Sequence, residues 1–306
     1  MNTLPFRPIG RSQLKTMPQY LRLSPERRLE IEAVSLVFPF RINSYLVEQM
    51  IDWDAVPDDP LFQLVFPQPG MLALPDRQLL TRMLASGAPD GEVTAAVSAI
   101  RRRLNPHPSG QLDLNVAHLG ERPLPGIQHK YPETVLFFPA QGQTCHAYCN
   151  YCFRWAQFVG EPDLKIAASS IHGLTAYLVQ QQRVTDVLIT GGDPLIMSTA
   201  LLARYLEPLL DASLDHIRTI RIGTKSLAYW PYRFVTDSDA AELLEVLARV
   251  TRAGKCLAIM AHISHPRELE PAVVHQAIGR IYATGARIWA QSPVVKWVND
   301  SSAVWR

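Results

Sequence analysis

The chain predicts a mixed α/β fold, with a helical N-terminal region leading into a partial (β/α) barrel. Three observations carry that prediction. Short apolar runs at 135–138, 186–190, 219–222, 257–260 and 288–290 read as strands covered on both faces. Amphipathic stretches at 171–182, 199–210, 239–252 and 271–282 lie between them and read as helices, with Gly254 and Gly285 placed to stop the last two. Alternation of this kind implies a parallel sheet joined by right-handed crossovers, whereas the first hundred or so residues lack it.

Taken in order, the opening stretch Met1-Asn2-Thr3-Leu4-Pro5-Phe6-Arg7-Pro8 has no basic segment feeding an apolar one, so no signal peptide is expected. Ser24 before Pro25-Glu26 starts a helix, because a serine cap, a first-turn proline and an acid near the positive helix end agree. A second helix is expected over 43–50, and a short element between the turns at Asp58-Asp59-Pro60 and Pro67-Gln68-Pro69-Gly70. A further helix runs from Glu92 to about Leu104, with Asp90 as its cap and Arg101-Arg102-Arg103 favouring its dipole at the far end. The prolines and glycines of 105–126 suggest a linker or a surface-hugging extension. The expected organisation is a helical region over 1–108, a linker or extension over 109–128, and the barrel region over 129–306.

Composition excludes several classes of function. At 306 residues the chain can bury a large core, and 47% apolar with 19% charged residues rules out wholesale disorder. A net charge of +2 gives no footprint for nucleic acid. No apolar run approaches the ~18 residues of a membrane span. Four cysteines are too few for a disulfide scaffold, so a cytoplasmic setting is expected, where clustered cysteines signal metal or redox chemistry.

In parallel α/β folds, functional residues gather beyond the carboxyl ends of the strands. The first strand here leads to Cys145, Cys149 and Cys152, and the second to Gly191-Gly192-Asp193-Pro194. The third leads to Gly223-Thr224-Lys225, the fourth to His262-Ile263-Ser264-His265, and the fifth to Gln291-Ser292 with Asn299-Asp300 beyond. Five such loops in register indicate an enzyme face. Structural zinc would want a fourth ligand, which only His146 could supply locally. A dithiol pair at Cys149 and Cys152 has no use for Cys145. Three chance cysteines within eight residues are improbable when the chain has four in all. The spacing favours an iron–sulfur cluster with three thiolate ligands and one iron open to a small molecule. Cys256, alone on a buried strand, reads as a small core residue.

The pattern Cys-x-x-x-Cys-x-aromatic-Cys, with Tyr151 as the aromatic, resembles the signature of the radical S-adenosylmethionine superfamily. Within it, several segments resemble the lysine 2,3-aminomutase family. They are His129-Lys130-Tyr131-Pro132-Glu133, Cys152-Phe153-Arg154, Leu188-Ile189-Thr190-Gly191-Gly192-Asp193, Arg221-Ile222-Gly223-Thr224, His262-Ile263-Ser264-His265-Pro266, and Gln291-Ser292 with Val298-Asn299-Asp300. Phe38-Pro39-Phe40-Arg41 and Asp59-Pro60-Leu61 are similar to the family's helical N-terminal region. The similarity covers most of the chain, and it implies a barrel of the radical S-adenosylmethionine type.

The resemblance also implies cofactors and roles. A [4Fe-4S] cluster on the three cysteines would bind S-adenosylmethionine and give a 5′-deoxyadenosyl radical. Gly191, Gly192 and Asp193 match the motif that meets the methionine amino group, and Thr224, His262 and Gln291 lie where ribose or adenine contacts are expected. Arg154 matches the arginine that pairs with a substrate carboxylate. Asp300 matches one of two acids holding the side-chain ammonium of lysine. Lys130 and Tyr131 match a region near pyridoxal 5′-phosphate, although lysine stands where arginine is usual. The family's pyridoxal-anchoring lysine lies in a glycine-rich segment beyond Asp300, and none of the chain's lysines sits in a comparable loop, so either a truncated or interrupted product or a different mode of cofactor binding is expected.

The implied activity is migration of the α-amino group of L-lysine to its β-carbon, an isomerase reaction. Its close variant supplies β-lysine for modification of translation elongation factor P. The alternatives are a radical enzyme acting on another amine without pyridoxal phosphate, and an inactive cluster-binding remnant. The implied partners are the amino acid substrate, a reducing flavodoxin or ferredoxin, and further copies of the chain, with no membrane and no nucleic acid.

Overall fold

The computed structural model describes residues 4–107 and 110–306. Residues 1–3 of the opening stretch and the expected boundary at 108/109 lie outside the described residues. The chain divides into two units, one of Met1–Pro108, Ala147–Leu164 and Val295–Asp300, the other of Ser109–His146, Lys165–Val294 and Ser301–Arg306.

The first unit is mainly helical. Strands β1 (Pro8–Gly10) and β2 (Arg41–Asn43) pair antiparallel around α1 (Arg11–Leu14), α2 (Pro18–Leu21) and α3 (Pro25–Val37). Helix α3 starts where the sequence says it should, with the Ser24 Oγ accepting the Arg27 N–H at 3.2 Å and Pro25 in the first turn. The helix expected over 43–50 begins only after Asn43, which ends β2, and it turns π-helical at Leu46–Met50. Helix α4 (Pro60–Val65) is capped by the buried Asp59, which accepts from the Phe62 N–H at 2.7 Å. Helices α5 (Leu74–Ser86) and α6 (Asp90–Arg103) pack on α3 through Ala33, Val34, Val37, Leu80, Val97 and Ile100. Asp90 is the first helical residue of α6 rather than its cap. The basic triplet is partly absorbed locally. Arg101 donates to the Leu36 and Val37 carbonyls at the end of α3 and to Glu161, and Arg103 pairs with Asp76.

The second unit carries a seven-stranded mixed sheet in the order β3-β4-β5-β6-β7-β8-β9. The segment expected as a linker contains β3 (Val116–Leu119) and most of β4 (Arg122–Tyr131), which join the sheet antiparallel beside β5 (Thr134–Phe137). From β5 onward every pairing is parallel, through β6 (Asp186–Ile189), β7 (Thr219–Thr224), β8 (Cys256–His262) and β9 (Arg287–Gln291). The connections carry α7 (His172–Gln180), α8 (Thr199–Leu206), α9 (Ser226–Tyr229), α10 (Ala240–Arg252) and α11 (Ala272–Ala283). Gly254 and Gly285 follow the ends of α10 and α11, as expected. Val187, Ile189, Ile220, Ile222, Leu257 and Ile259 from the central strands are fully buried against Leu202, Leu206, Leu243, Leu247, Val274 and Ile281 from the helices. One expectation fails at β9, which is mostly exposed, with Trp289 at 43%. It is the edge strand, and little packs on its faces. Cys256, expected in the core, opens β8 and is half-buried.

Candidate functional site

Parallel register brings the carboxyl ends of β5 to β9 to one rim of the second unit. Phe137 pairs with Ile189, Ile189 with Ile222, Thr224 with Ala261, and His262 with Gln291. The loops carrying Gly191-Gly192-Asp193, Thr224, His262 and Gln291 therefore leave from the same end, and the loop to Cys145 leaves from it too.

The loop after β6 shows why glycine stands there. Gly191 has φ of +138°, which side-chain-bearing residues rarely adopt, and a Cβ on Gly192 would fall on the Thr144 backbone. That close approach lets the Asp193 N–H donate to the carbonyls of Thr144 at 2.7 Å and Gly142 at 3.1 Å.

The Asp193 carboxylate points inward and is 2% exposed. It accepts from the Leu195 N–H at 3.0 Å, the Thr224 hydroxyl at 2.7 Å, the Lys225 N–H at 2.9 Å and the Ser226 hydroxyl at 3.0 Å. A carboxylate has about four lone-pair sites, so this set saturates it. Burial works to raise its pKa, but His146, the Thr224 hydroxyl and the Lys225 amide outweigh that and hold it below the usual carboxylate range. The Ser226 proton goes to Asp193, so its oxygen accepts from His146 Nδ1 at 3.2 Å, which assigns the imidazole proton to that nitrogen.

A second buried network lies beside the first. The Lys225 ammonium donates to Glu268 at 2.9 and 3.2 Å, to the Ser264 hydroxyl at 3.0 Å and to the His262 carbonyl at 3.2 Å, and lies 4.4 Å from the centre of the Tyr229 ring. Glu268 is wholly buried and also accepts from the Ser264 N–H at 2.7 Å. Burial, reinforced by the Lys225 charge and opposed by Asp193, depresses His262 to about 4, so its imidazole is neutral at neutral pH. Gln291, at the end of β9, is exposed.

Cys149, Tyr151, Cys152 and Arg154 belong to the first unit, whose backbone holds their loop. Tyr148 N–H donates to the Arg41 carbonyl at 2.9 Å, and Asn150 N–H to the Leu64 carbonyl at 2.8 Å. Trp155 meets Phe38 edge-on at 5.4 Å. The segments around Phe38-Pro39-Phe40-Arg41 and after Asp59-Pro60-Leu61 thus serve to hold this loop. Burial and the neighbouring Cys149 push the Cys152 thiol up to about 12, against weaker opposing pulls from the Arg154 amide and charge. Burial lowers the Arg154 guanidinium to about 10, which leaves it charged, 4.9 Å over the Phe153 ring. Asp300 is exposed and accepts from the Trp297 N–H at 3.0 Å, closing a turn.

The cysteine donors fit an iron–sulfur group by their chemistry. All three form no disulfide and are partly accessible. Among the described residues no three His, Cys, Asp or Glu side chains converge as the ligands of one ion do. A cluster does not require that, because each thiolate takes a different iron.

Pyridoxal phosphate fits less well. Lys130 and Tyr131 lie at the β4–β5 hairpin, where Tyr131 pairs with Thr134 at the amino end of β5. Four residues of strand, about 10 Å, separate that end from the rim. Of the six lysines, Lys225 is committed to Glu268 and Lys255 donates to the Leu214 carbonyl beneath the amino end of β8. Lys15, Lys130, Lys165 and Lys296 are exposed. The residues present do not fit an anchored pyridoxal phosphate.

Sequence reasoning missed Ser226 and Glu268 as parts of the rim; it placed Thr144, Lys225 and Ser264 on the rim loops without a role, and met His146 only as a possible zinc ligand. Ser226 stands two residues after Thr224, and that adjacency was a usable signal. Glu268 lies 43 residues from Lys225 and carries none.

The chain is 33% identical over 275 residues to an Aquifex aeolicus protein named "Putative L-lysine 2,3-aminomutase", covering 90% of this chain and 61% of that protein. A second Aquifex aeolicus protein of the same name is 26% identical over 291 residues, 95% of this chain and 65% of that one. The L-lysine 2,3-aminomutase of Bacillus subtilis is 29% identical over 181 residues, 59% of this chain and 35% of the enzyme. The chain thus spans less than two thirds of the length of these curated relatives. No family model matches it.

Proposed function

Because this chain belongs to the lysine 2,3-aminomutase family of radical S-adenosylmethionine proteins, we propose that it forms the cluster- and S-adenosylmethionine-binding part of an isomerase acting on L-lysine. The observation that carries this reading is the shared rim, where Gly191-Gly192, His262 and Gln291 lie at the strand ends from which Cys145 also departs. Cys145, Cys149 and Cys152 would hold the [4Fe-4S] cluster. Bound there, the cluster and S-adenosylmethionine supply one-electron reduction of a sulfonium and hence a carbon-centred radical that abstracts hydrogen.

The chain's own residues bind, orient and exclude water. Gly191 and Gly192 bring backbone close to the methionine end of the ligand. Neutral His262 and the Gln291 side chain offer hydrogen-bonding groups suited to ribose or a neutral purine. Arg154, still charged, offers a bidentate contact to an amino acid carboxylate, and Asp300 an anion for an ammonium. The reaction proposed is transfer of the α-amino group to the β-carbon, with L-lysine, free or destined for elongation factor P, as the substrate and a flavodoxin or ferredoxin as reductant. On the lysine placement above, pyridoxal phosphate is not assigned a site in this chain. No helix among the described residues is long and apolar enough to cross a membrane, and cytoplasmic residence belongs to the same proposal.

The test is anaerobic reconstitution followed by incubation with dithionite and S-adenosylmethionine. Formation of 5′-deoxyadenosine by the wild-type chain, lost together with cluster iron in Cys149→Ala but kept in Cys256→Ala, is the expected result. Full, reducible cluster without any nucleoside would sink the proposal.

A further inference from the structure

The residues on both sides of Cys145 are tied to one carboxylate-bearing residue. Thr144, before it, accepts the Asp193 backbone N–H through its carbonyl at 2.7 Å. His146, after it, donates from Nδ1 to the Ser226 hydroxyl at 3.2 Å, and Ser226 donates to the Asp193 carboxylate at 3.0 Å. Thr224 at the end of β7 and the Lys225 amide complete the hold on Asp193. Asp193, Ser226, Thr224 and His146 are all buried. Asp193 therefore has its carboxylate filled by the chain's own donors and faces the protein interior.

We infer that Asp193 is a positioning residue for the first cluster thiolate, Cys145, and that its carboxylate does not itself contact the ammonium of S-adenosylmethionine. This rests on the proposed function above and deepens it. A four-residue bridge from β7 to the loop on both sides of Cys145 restricts the backbone that aims the thiolate. A carboxylate whose lone pairs are filled by two hydroxyls and two amides gains nothing from a further cation unless that set is dismantled.

The experiment compares wild type, Ser226→Ala, Ser226→Thr and Asp193→Asn as full chains after anaerobic reconstitution. Four quantities are read: iron and sulfide per chain, the low-temperature EPR signal of the reduced cluster without S-adenosylmethionine, the apparent Kd for S-adenosylmethionine per cluster, and the thermal midpoint. Ser226→Ala should keep a near wild-type midpoint and a Kd within about threefold, yet retain less than half the cluster iron and show an altered EPR signal. Ser226→Thr, which keeps the hydroxyl, should restore both. Asp193→Asn should lose more iron than Ser226→Ala. Variants with wild-type iron and an unchanged EPR signal but a Kd weakened tenfold or more would overturn the inference in favour of direct contact. A wild-type chain that takes up no cluster would overturn the functional reading, and the inference with it.

Discussion

The amino and carboxyl ends of the parallel strands both carry ion pairs, but in different settings. At the amino end Arg221 pairs with Asp186, which also accepts from the Thr134 hydroxyl, and about a fifth of each charged side chain remains in contact with water. At the carboxyl end Lys225 meets Glu268, the acid wholly sealed and the lysine 8% exposed, next to the sealed Asp193. A pair that keeps water adds little to stability, whereas a sealed one costs several kcal/mol to desolvate and survives only with every lone pair met. The carboxyl end thus accepts a large penalty to hold its loops in one arrangement. The amino end braces strands and nothing more.

The largest effect is expected of Glu268→Ala, which strands the Lys225 ammonium without its carboxylate. Urea unfolding should show a loss of about 3–5 kcal/mol. The double replacement Lys225→Met with Glu268→Leu should recover most of that loss while still disturbing the loop after β8. A loss under about 1 kcal/mol for the single variant would mean that the pair is hydrated in solution.

The next effect is pH dependence. The groups facing His262 are Lys225 from the end of β7 and Asp193 from the loop after β6, with Glu268 next to Lys225. Folded His262 titrates near 4 against 6.5 for the ordinary group, so the unfolded chain takes up the extra proton between those values. Its contribution is complete above pH 6.5 and is lost as pH falls towards 4, by up to about 3 kcal/mol. His262→Gln should flatten the stability profile across that window. An unchanged acid limb would place the titrating group elsewhere.

Gly192→Ala pushes a methyl into the Thr144 backbone and should cost about 1–3 kcal/mol together with cluster retention. Gly279→Ala is its control, since that glycine is in α11 with nothing near its missing Cβ, and it should be neutral or stabilising by up to about 1 kcal/mol. The smallest effect belongs to the amino end. Asp186→Asn should cost about 1 kcal/mol or less and leave cluster content untouched. A cost matching that of Glu268→Ala would erase the distinction between the two ends.

Much of the scaffold was legible because its signals are local. Apolar runs marked β5 to β8, and helical periodicity marked α8, α10 and α11, since burial on one or both faces leaves its period in the chain. The β3–β4 hairpin was not legible. Pro123, Pro125 and Gly126 read as linker, yet β5 pairs only with the later part of β4, so the proline-bearing half has one strand neighbour and can spare its missing N–H groups. The exposure of β9 was hidden as well, because an apolar run does not say what will pack on the faces of a strand.

Residue types at short spacing encode the cysteine motif, the glycine loop and the succession of strands and helices from β5 onward. Tertiary structure alone decided which way the polar residues face. Asp193 reads in sequence as a carboxylate offered to a ligand. In the fold it is filled by donors from Leu195, Thr224, Lys225 and Ser226, since parallel register sets the end of β7 beside the loop after β6. Lys130 and Tyr131 read as neighbours of the site, and the hairpin places them at the amino end of β5. Lys225 and Glu268, distant in sequence, became a sealed pair through the pairing of β7 with β8. Burial and pairing of that kind depend on what the rest of the chain packs against a residue, and no local spacing encodes it.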